Sequence, residues 1–332
     1  MIGDSYPPEA RGKKFGLMHI AIFMGLGLGN IIGAVITNTL GPIAWRYTYG
    51  IGSILSFIPL INYFFSGFDP ERGRSDPELQ DFKGKIAYDY KITFHNLVQV
   101  FKRKSNTGIL LYEICAGIQG SALTTWTIFY LTSLIDIPNA IVIATTVSLL
   151  GGLGAIVGTV FGGRMGDSLY RTGRLRGRVL ISSVGLIVGI LFVIIFYTIP
   201  FHTSTHTETI LFTVIFITVS FAGSLFTSLC VGNIFAIFSE VSRPELRSIA
   251  NALLGVFFNI GGVIGQFIVA TLVGIDMALL QFSILLVLSV WVCGTAFWII
   301  TFIYYPKESK ELRNIMAQRR KELDQSLENT GM

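Results

Sequence analysis

Charged residues are scarce in this chain, and the missing motifs exclude several classes of protein. Lys, Arg, Asp and Glu make up 14% of its 332 residues, whereas a soluble domain carries about a quarter. The sequence has no H-E-x-x-H, no G-x-S-x-G and no glycine-rich phosphate loop followed by Lys-Ser/Thr. We therefore predict that the protein is not an enzyme and needs no cofactor or metal, and that it is not an ATP-driven pump.

Cysteine is also rare. Cys115, Cys230 and Cys293 each lie in an apolar run without metal or redox spacing, so we interpret them as small packing residues. The first 14 residues are polar and have no apolar core of their own, which argues against a cleavable signal.

Apolar residues dominate instead. They form 52% of the chain, and the mean hydropathy is +0.64. Apolar runs of about 20 residues recur, which predicts an all-α integral membrane protein, and the 36 glycines would let its helices approach closely. Eight spans are predicted, at residues 15–40, 45–65, 107–135, 140–162, 179–200, 209–238, 249–273 and 277–305.

The basic residues are distributed asymmetrically. Of 25 Lys and Arg residues, 24 fall on alternate connections, and only Arg46 lies on the opposite side. By the positive-inside rule, both termini are expected in the cytoplasm. The pI near 9.1 then reflects topology, with anionic lipid headgroups rather than nucleic acid as the counter-charge. Nothing in the pattern predicts an oligomeric state.

Two charged segments lie on either side of the six spans between residues 107 and 305. The long connection, residues 66–104, begins with a stretch that we expect to be too polar and proline-rich to pack. It continues into a predicted interfacial helix, whose apolar face consists of Ile86, Tyr90, Phe94, Leu97, Val98 and Phe101. The tail, residues 306–332, has a weaker stripe, and there we favour a solvated charged helix. That stripe consists of Leu312, Ile315, Met316 and Leu323.

An internal repeat with an offset of 236 residues relates the two ends of the chain. The loop Glu240-x-x-x-Pro-Glu-x-Arg247 matches Asp4-x-x-x-Pro-Glu-x-Arg11. In the helices that follow, Gly261 and Gly265 match Gly25 and Gly29. A charged loop in register with glycines four residues apart is harder to ascribe to chance than apolar identities alone.

These residues resemble the major facilitator superfamily. Gly163-Arg-Met-Gly-Asp167 followed by Arg171-Thr-Gly173-Arg174-Leu-Arg176 is similar to the family's G-x-x-x-D-R-x-G-R-R loop, with three extra residues after the aspartate. The two acid-x-x-x-P-E-x-R loops resemble those after its fourth and tenth helices. The glycine ladder before Trp45-Arg46 looks like its fifth helix and the start of its sixth.

The resemblance implies a transporter of a small organic or amphiphilic solute, working by alternating access in the cell membrane. The eight spans would correspond to helices five to twelve of a twelve-helix fold. Residues 1–65 would then be the remnant of an N-terminal bundle, 66–104 the central cytoplasmic loop and 105–305 the C-terminal six-helix bundle. The repeat places roughly 130 further residues upstream, enough for four spans. The alternative is a non-transporting membrane remnant or interaction subunit.

One departure narrows the expected chemistry. Proton antiporters of the family carry G-P-x-x-G-G late in the fifth helix, where this chain has Gly29-Asn-Ile-Ile-Gly33-Ala. This puts drug–proton antiport in doubt. The segment Asp69-Pro-Glu-Arg-Gly-Arg-Ser-Asp-Pro-Glu-Leu79 resembles the spinster-like branch, whose members move lysolipids and related amphiphiles.

Three groups of residues are candidates for function. The expected gating loops contain Gly163, Asp167, Arg171, Gly173, Arg174, Arg176, Glu240, Glu245 and Arg247. Asp167 would pair with the arginines that follow it and with the N-terminus of the seventh span, although these arginines could simply be membrane anchors. Asn30, Gln119, Thr124, Asn233, Asn259 and Gln266 lie at mid-span depth and could line a substrate path or bond helices together. Glu113 is the single acid within a span and is the candidate for proton coupling.

Overall fold

The computed structural model describes residues 2–68, 70–82, 94–136, 140–201, 203 and 205–330, and its long elements are all helices. They are α1 (Ile2–Ser5), α2 (Pro8–Leu40), α3 (Trp45–Ser66), α4 (Phe94–Lys102), α5 (Lys104–Thr132), α6 (Ala140–Arg171), α7 (Gly177–Thr198), α8 (His206–Thr227), α9 (Val231–Val241), α10 (Arg247–Ile275), α11 (Leu280–Gly294) and α12 (Trp298–Thr330). Single turns of 3-10 helix join α2 to α3 and link the elements from α8 to α12.

Within the described ranges, seven helical segments are long and apolar enough to cross a membrane. They comprise α2, α3, α6, α7, α8 with α9, α10, and α11 with α12. The predicted span at 107–135 falls on α5, which is not one of the seven. Glu113, Gln119 and several threonines lower its mean hydropathy. Its 29 residues extend roughly 44 Å, which is longer than a bilayer core. The helix therefore has the length of a span but not the hydropathy, and the eighth span stays a prediction.

α6 continues well past the predicted end of its span. The sequence suggests a basic loop at 163–178, but the helix runs without interruption to Arg171. Helix is favoured here because Gly163 and Gly166 lie against Gly12 and Asn233, so packing stabilises the extra turns. The chain then reverses within a few residues, where Gly173 adopts a positive φ of 79°. Asp167 therefore lies on a helix rather than in a loop.

Close backbone contacts at glycine join the helices from α5 onward. Gly261 and Gly265 of α10 lie directly against the carbonyl groups of Ile114 and Ile118 in α5. Gly158 makes the same kind of contact between α6 and α8. A Cβ atom at any of these positions would clash with backbone, so larger residues would force the helices apart.

The second span and the later part of the first have few contacts with the rest of the bundle. Gly12 and Gly16, near the start of α2, lie against the backbone of α6. Gly25 and Gly29, farther along the same helix, are open: a Cβ atom at either position would have no neighbouring atom within 4 Å. α3 contacts α2 and has no buried residue along its 22 residues. Gly261 and Gly265, which the internal repeat relates to Gly25 and Gly29, are by contrast covered by α5. The two copies of the repeat therefore differ in how their glycines are packed.

The long connection and the tail pack against each other, which corrects two predictions. Leu79 and Phe82 are buried against Leu312 and Met316 of α12, with Leu323 beside them. The proline-rich stretch is able to pack because successive hydrogen-bonded turns satisfy its backbone. The tail supplies the apolar stripe that covers it, so this part of α12 is amphipathic rather than solvated on all sides.

The predicted interfacial helix is seen in part. α4 begins at Phe94 and ends at Lys102, and the ring of Phe101 lies 5.9 Å from that of Phe257 in α10. Val98 is exposed. Ile86 and Tyr90 lie outside the described residues.

The opposite end of the bundle is closed by a short β-bridge. Ile135 pairs with Thr203, and Asp136 N–H donates to the Thr203 carbonyl over 2.9 Å. Thr205 and Glu208 then form a capping box at the start of α8, which satisfies free N–H groups there.

Candidate functional site

A network of buried charges occupies the end of the bundle where the basic connections meet, here called the basic end. It joins α1 and α2 to α6, α7, α9, α10 and α12. Its three central cations are Arg11, Arg178 and Arg247, and its carboxylates are Asp4, Asp76, Asp167 and Glu240. All seven side chains are at most 8% exposed, so their charges are only weakly screened by water.

Asp167 links α6 to the start of α2. Its Oδ1 accepts a hydrogen bond of 3.0 Å from the Gly12 N–H, and its Oδ2 accepts one of 2.8 Å from the Lys13 N–H. A carboxylate is favoured near a helix N-terminus by the dipole. Gly12 permits this approach, since a Cβ there would lie only 2.8 Å from Asp167 Oδ1. The helix that receives Asp167 is thus α2, not α10 as the sequence suggested.

Arg178, in the first turn of α7, is the charge partner of Asp167. Its Nη1 lies 2.8 Å from Asp167 Oδ1, and its Nη2 lies 3.1 Å from Glu240 Oε1. Nη2 also donates to the Pro8 carbonyl over 2.6 Å. The guanidinium is fully buried and lies over the ring of Tyr170 at 4.8 Å. One arginine therefore connects two carboxylates with the backbone of α2.

Glu240, at the end of α9, has a second partner in α12. The Tyr305 hydroxyl donates a short hydrogen bond to Glu240 Oε2, and both side chains are buried. Nearby, Arg313 donates to the Tyr170 hydroxyl over 2.6 Å. These contacts tie the last helix to α6 and α9.

The two repeat-related arginines converge on one carboxylate. Arg11 Nη2 lies 2.7 Å from Asp76 Oδ1, and Arg247 Nη2 lies 2.9 and 2.8 Å from its two oxygens. Burial by itself would raise the pKa of Asp76, but the two arginines outweigh it and bring the pKa below its ordinary value. Burial raises the pKa of Glu78 in the same segment.

Arg247 also joins the two copies of the repeated loop. Its Nη1 lies 2.9 Å from Asp4 Oδ1, which in addition accepts a hydrogen bond of 3.0 Å from the Gly73 N–H. Glu245, two residues before Arg247, is buried and pairs with Arg319 of α12 over 2.6 Å. The central connection, α1 and the tail thus meet on one short segment of the chain.

The predicted gating residues divide into those inside this network and those outside it. Asp167, Glu240, Glu245 and Arg247 belong to it, while Gly163 packs on Gly12 and Gly173 forms the turn after α6. Arg171, Arg174 and Arg176 are exposed, and Arg176 lies over the Phe302 ring at 5.1 Å.

Three central members of the network are not singled out by the sequence. In the sequence, Arg178 is only one of the basic residues of a predicted loop, and Arg11 is only a matching position in the repeat. Asp76 is only part of the proline-rich stretch. A signal exists for Arg11, since it occupies the repeat position of Arg247, a predicted gating residue. Nothing in the local sequence distinguishes Arg178 from the other loop arginines.

Two of the substrate-lining candidates bond helices together. Asn233 is fully buried and donates to the carbonyls of Gly162 and Leu229 over 3.0 and 3.1 Å. Gln266 of α10 accepts a hydrogen bond of 3.1 Å from the Trp126 indole and donates to the Ser121 carbonyl in α5 over 2.6 Å. For these two residues the packing interpretation accounts for the polar side chain.

The remaining candidates are less constrained. Thr124 and Asn259 are exposed and each bonds to its own helix, at the carbonyls of Gly120 and Gly255. Asn30 is exposed on α2, and Gln119 is half-buried on α5. Neighbouring helices therefore leave these four side chains at least partly exposed.

Glu113 is half-buried on α5, about two turns from the start of that helix. Among the described residues it has no hydrogen-bond or ion-pair partner. The same part of the chain contains no group of three or more His, Cys, Asp or Glu side chains placed to bind a metal ion.

Comparison with known proteins gives one family. The family model described as Major Facilitator Superfamily matches residues 1–266, more than three-quarters of the chain. No curated protein matches it. The apolar helices and the charged network are thus those of a multi-pass membrane protein in a family of transporters, and the chain belongs to the major facilitator superfamily.

Proposed function

We propose that this chain is the helix-five-to-twelve part of a secondary transporter that moves a small organic or amphiphilic solute by alternating access. The observation that carries this proposal is the buried charge network. Part of it joins residues 1–65 to the rest of the chain, as a gate between two moving parts requires.

Polar contacts cross this boundary beside close helix packing, in which buried Phe15 stacks on Phe235 and Gly16 lies against the Thr159 backbone. Asp167 accepts from the backbone of α2, Arg178 donates to the Pro8 carbonyl, and Arg247 pairs with Asp4. Polar contacts of this kind can be exchanged for water when an interface opens. We infer that the network holds the basic end closed, and that this end opens when these contacts part.

The proposal includes the cytoplasmic placement of the basic end and the correspondence with a twelve-helix fold. The glycine contacts support the latter. Gly261 and Gly265 are covered by α5, but their repeat counterparts Gly25 and Gly29 face open space. In a complete pair of bundles, a helix equivalent to α5 would cover Gly25 and Gly29.

The solute path would pass the polar residues that neighbouring helices leave accessible. Gln119, Thr124, Asn30 and Asn259 are the candidates for solute contact. Glu113 is the candidate for coupling to protons, because a carboxylate without a partner within a span is costly to ionise.

Gate opening can be tested with a thiol reporter. With the three native cysteines changed to serine, Thr159→Cys places a thiol on α6 that is fully buried beside Gly16. Asp167→Asn is expected to raise its labelling by a water-soluble maleimide at least tenfold. Arg171→Gln, an exposed charge one turn away, is the matched control and should leave labelling unchanged. Equal labelling in all three proteins would contradict the gate.

Transport is tested in proteoliposomes with a panel of fluorescent amphiphiles. Flux by this chain, or by this chain with a family member's first four helices supplied as a second polypeptide, would support the proposal. A lack of flux in both cases would refute it.

A non-transporting interaction subunit is the second candidate function. It is favoured by the open Gly25/Gly29 face and by α3, which buries no residue. Two results together would favour the interaction subunit. The chain would associate stably with another membrane helix unless Gly25 is replaced by leucine (Gly25→Leu), and neither proteoliposome experiment would show flux.

A further inference from the structure

A second concave site lies at the basic end, apart from the charge network. It is a cavity of about 500 Å³ where α4, the start of α5, the segment after α9 and α12 meet. None of the seven charged residues of the network lines it. Its volume is in the range of small-molecule sites, and Val100, Val241 and Leu246, all nearly fully buried, are among its lining residues.

The lining is strongly cationic. Five basic side chains, Lys102, Arg103, Lys104, Arg243 and Lys307, surround the cavity together with two carboxylates. The carboxylates belong to Glu308 and Glu311.

Both carboxylates are already engaged. Glu308 accepts from the backbone N–H groups of Lys104 and Ser105 over 2.7 and 3.1 Å, and so caps α5. Glu311 pairs with Arg103 over 2.8 Å. Neither acid is therefore available to neutralise the remaining cations.

Of the other four cations, Lys104 lies over the Tyr304 ring and donates to its hydroxyl, which leaves three around the cavity. Lys102, Arg243 and Lys307 are exposed, and within the described part of the chain they have no anionic partner. They come from three separate segments: the end of α4, the link between α9 and α10, and α12. Converging cations from separate segments are suited to a phosphate group, which can accept a hydrogen bond from each of them.

The surroundings indicate a lipid rather than a soluble anion. Ile299 and Ile303 are exposed apolar residues of α12, four residues apart on the helix face that continues to Lys307. Tyr304, an amphipathic residue typical of the membrane interface, lines the cavity, and its hydroxyl accepts from Lys104 Nζ over 3.3 Å. An acyl chain can lie along the isoleucines while its phosphate enters the cavity.

We propose that this cavity binds the phosphate headgroup of an anionic phospholipid. The bound lipid bridges α4, the segment after α9 and α12. It would thereby stabilise the arrangement of the central connection and the tail beside the charge network. This inference does not depend on solute transport.

The test uses the purified full chain in a neutral detergent. Short-chain phosphatidylglycerol, short-chain phosphatidylcholine and inorganic phosphate are titrated in separate arms, and binding is followed by native mass spectrometry and by thermal unfolding. Phosphatidylglycerol is expected to bind and stabilise the protein, and more weakly as salt rises. Inorganic phosphate at the same concentration should bind far less, because it lacks an acyl chain.

The decisive variant combines Lys102→Gln, Arg243→Gln and Lys307→Gln. It should weaken phosphatidylglycerol binding on the order of 100-fold, from the loss of three headgroup contacts. Because all three side chains are exposed, its unfolding temperature without lipid should equal that of the parent. The matched control combines Arg171→Gln, Arg174→Gln and Arg176→Gln, which removes the same charge from another basic segment and should change binding less than twofold.

Several outcomes would overturn the proposal. Equal binding of phosphatidylcholine would remove the role of charge, and equal binding of inorganic phosphate would make the ligand a free anion. Equal losses in the two triple variants would mean that general surface charge, not this cavity, attracts the lipid. If the cavity triple variant does not fold, Lys307→Gln alone is compared with Arg171→Gln, and equal lipid binding by these two would likewise refute the site.

Discussion

Arg178 lies between Asp167 and Glu240, and replacing it with glutamine would leave both carboxylates buried without their shared cation. Removing one partner of a buried ion pair costs about 3–5 kcal/mol, because the remaining charge stays desolvated. Arg178 also donates to the Pro8 carbonyl over 2.6 Å, so the hold on α2 is lost as well. For a protein of this size the expected fall in Tm is on the order of 10 °C.

Thermal unfolding in detergent can be followed with a thiol-reactive fluorogenic dye. With the less buried Cys115 and Cys293 changed to serine in every protein compared, Cys230, which is 4% exposed, reports unfolding of the bundle when it becomes accessible. Arg176→Gln is the matched control, since it makes the same change two residues earlier at an exposed position. Its Tm should lie within about 1 °C of the parent, as expected for a surface substitution.

A second substitution separates electrostatics from packing. In Arg178→Gln with Glu240→Gln, one unpaired charge is removed, so part of the lost Tm should return. The reasoning is refuted if Arg178→Gln is no more destabilising than Arg176→Gln. It is also refuted if Glu240→Gln adds to the loss instead of relieving it.

Three further predictions concern the packing and the pH behaviour. The pKa of Asp76 is lowered because its two arginine partners outweigh the effect of burial. The stabilisation that Asp76 contributes is therefore present above the pKa of the unfolded state, near 3.8, and is lost as pH falls through the pKa of the folded state. Asp76→Asn should therefore flatten the acid side of a plot of Tm against pH, and an unchanged slope would contradict the assignment. Gly261→Leu should lower Tm because it forces α5 and α10 apart, whereas Gly25→Leu should not lower it, and equal effects would argue against the difference between the two copies. Leu79→Ala should speed tryptic cleavage of the central connection at least tenfold with little change in bundle Tm, since it empties a small separate core; unchanged cleavage would mean that this core does not hold the segment.

Membership of the major facilitator superfamily can be inferred from the sequence because the order of loops and glycines is preserved along the chain. The glycine contacts illustrate how far this extends. Gly261 and Gly265 have the spacing of a helix-packing ladder, and they do lie against another helix. Their repeat counterparts, Gly25 and Gly29, have the same sequence pattern and no neighbour. A pattern records what a surface is suited to contact, not whether the contact is made.

Polar residues within spans are harder to interpret. Asn233 and Gln266 are candidates for solute contact by their depth in the sequence, yet both donate to backbone carbonyls of neighbouring helices. Such a bond depends on which helix lies opposite and at what distance. Neither quantity is recorded in the residues around the asparagine or glutamine.

The sequence by itself determined that this is a helical membrane protein with a 236-residue repeat and one strongly basic side. Hydropathy, charge spacing and repeats are properties of the chain that can be counted without knowing how it folds. Only the tertiary structure decided that Arg178, rather than Arg171, Arg174 or Arg176, is the partner of Asp167. That choice depends on α6 continuing to Arg171, which leaves the turn arginines exposed, and on α7 bringing Arg178 back to the buried carboxylates. Ion pairs between distant segments are set by helix packing, and packing cannot be read from local spacing.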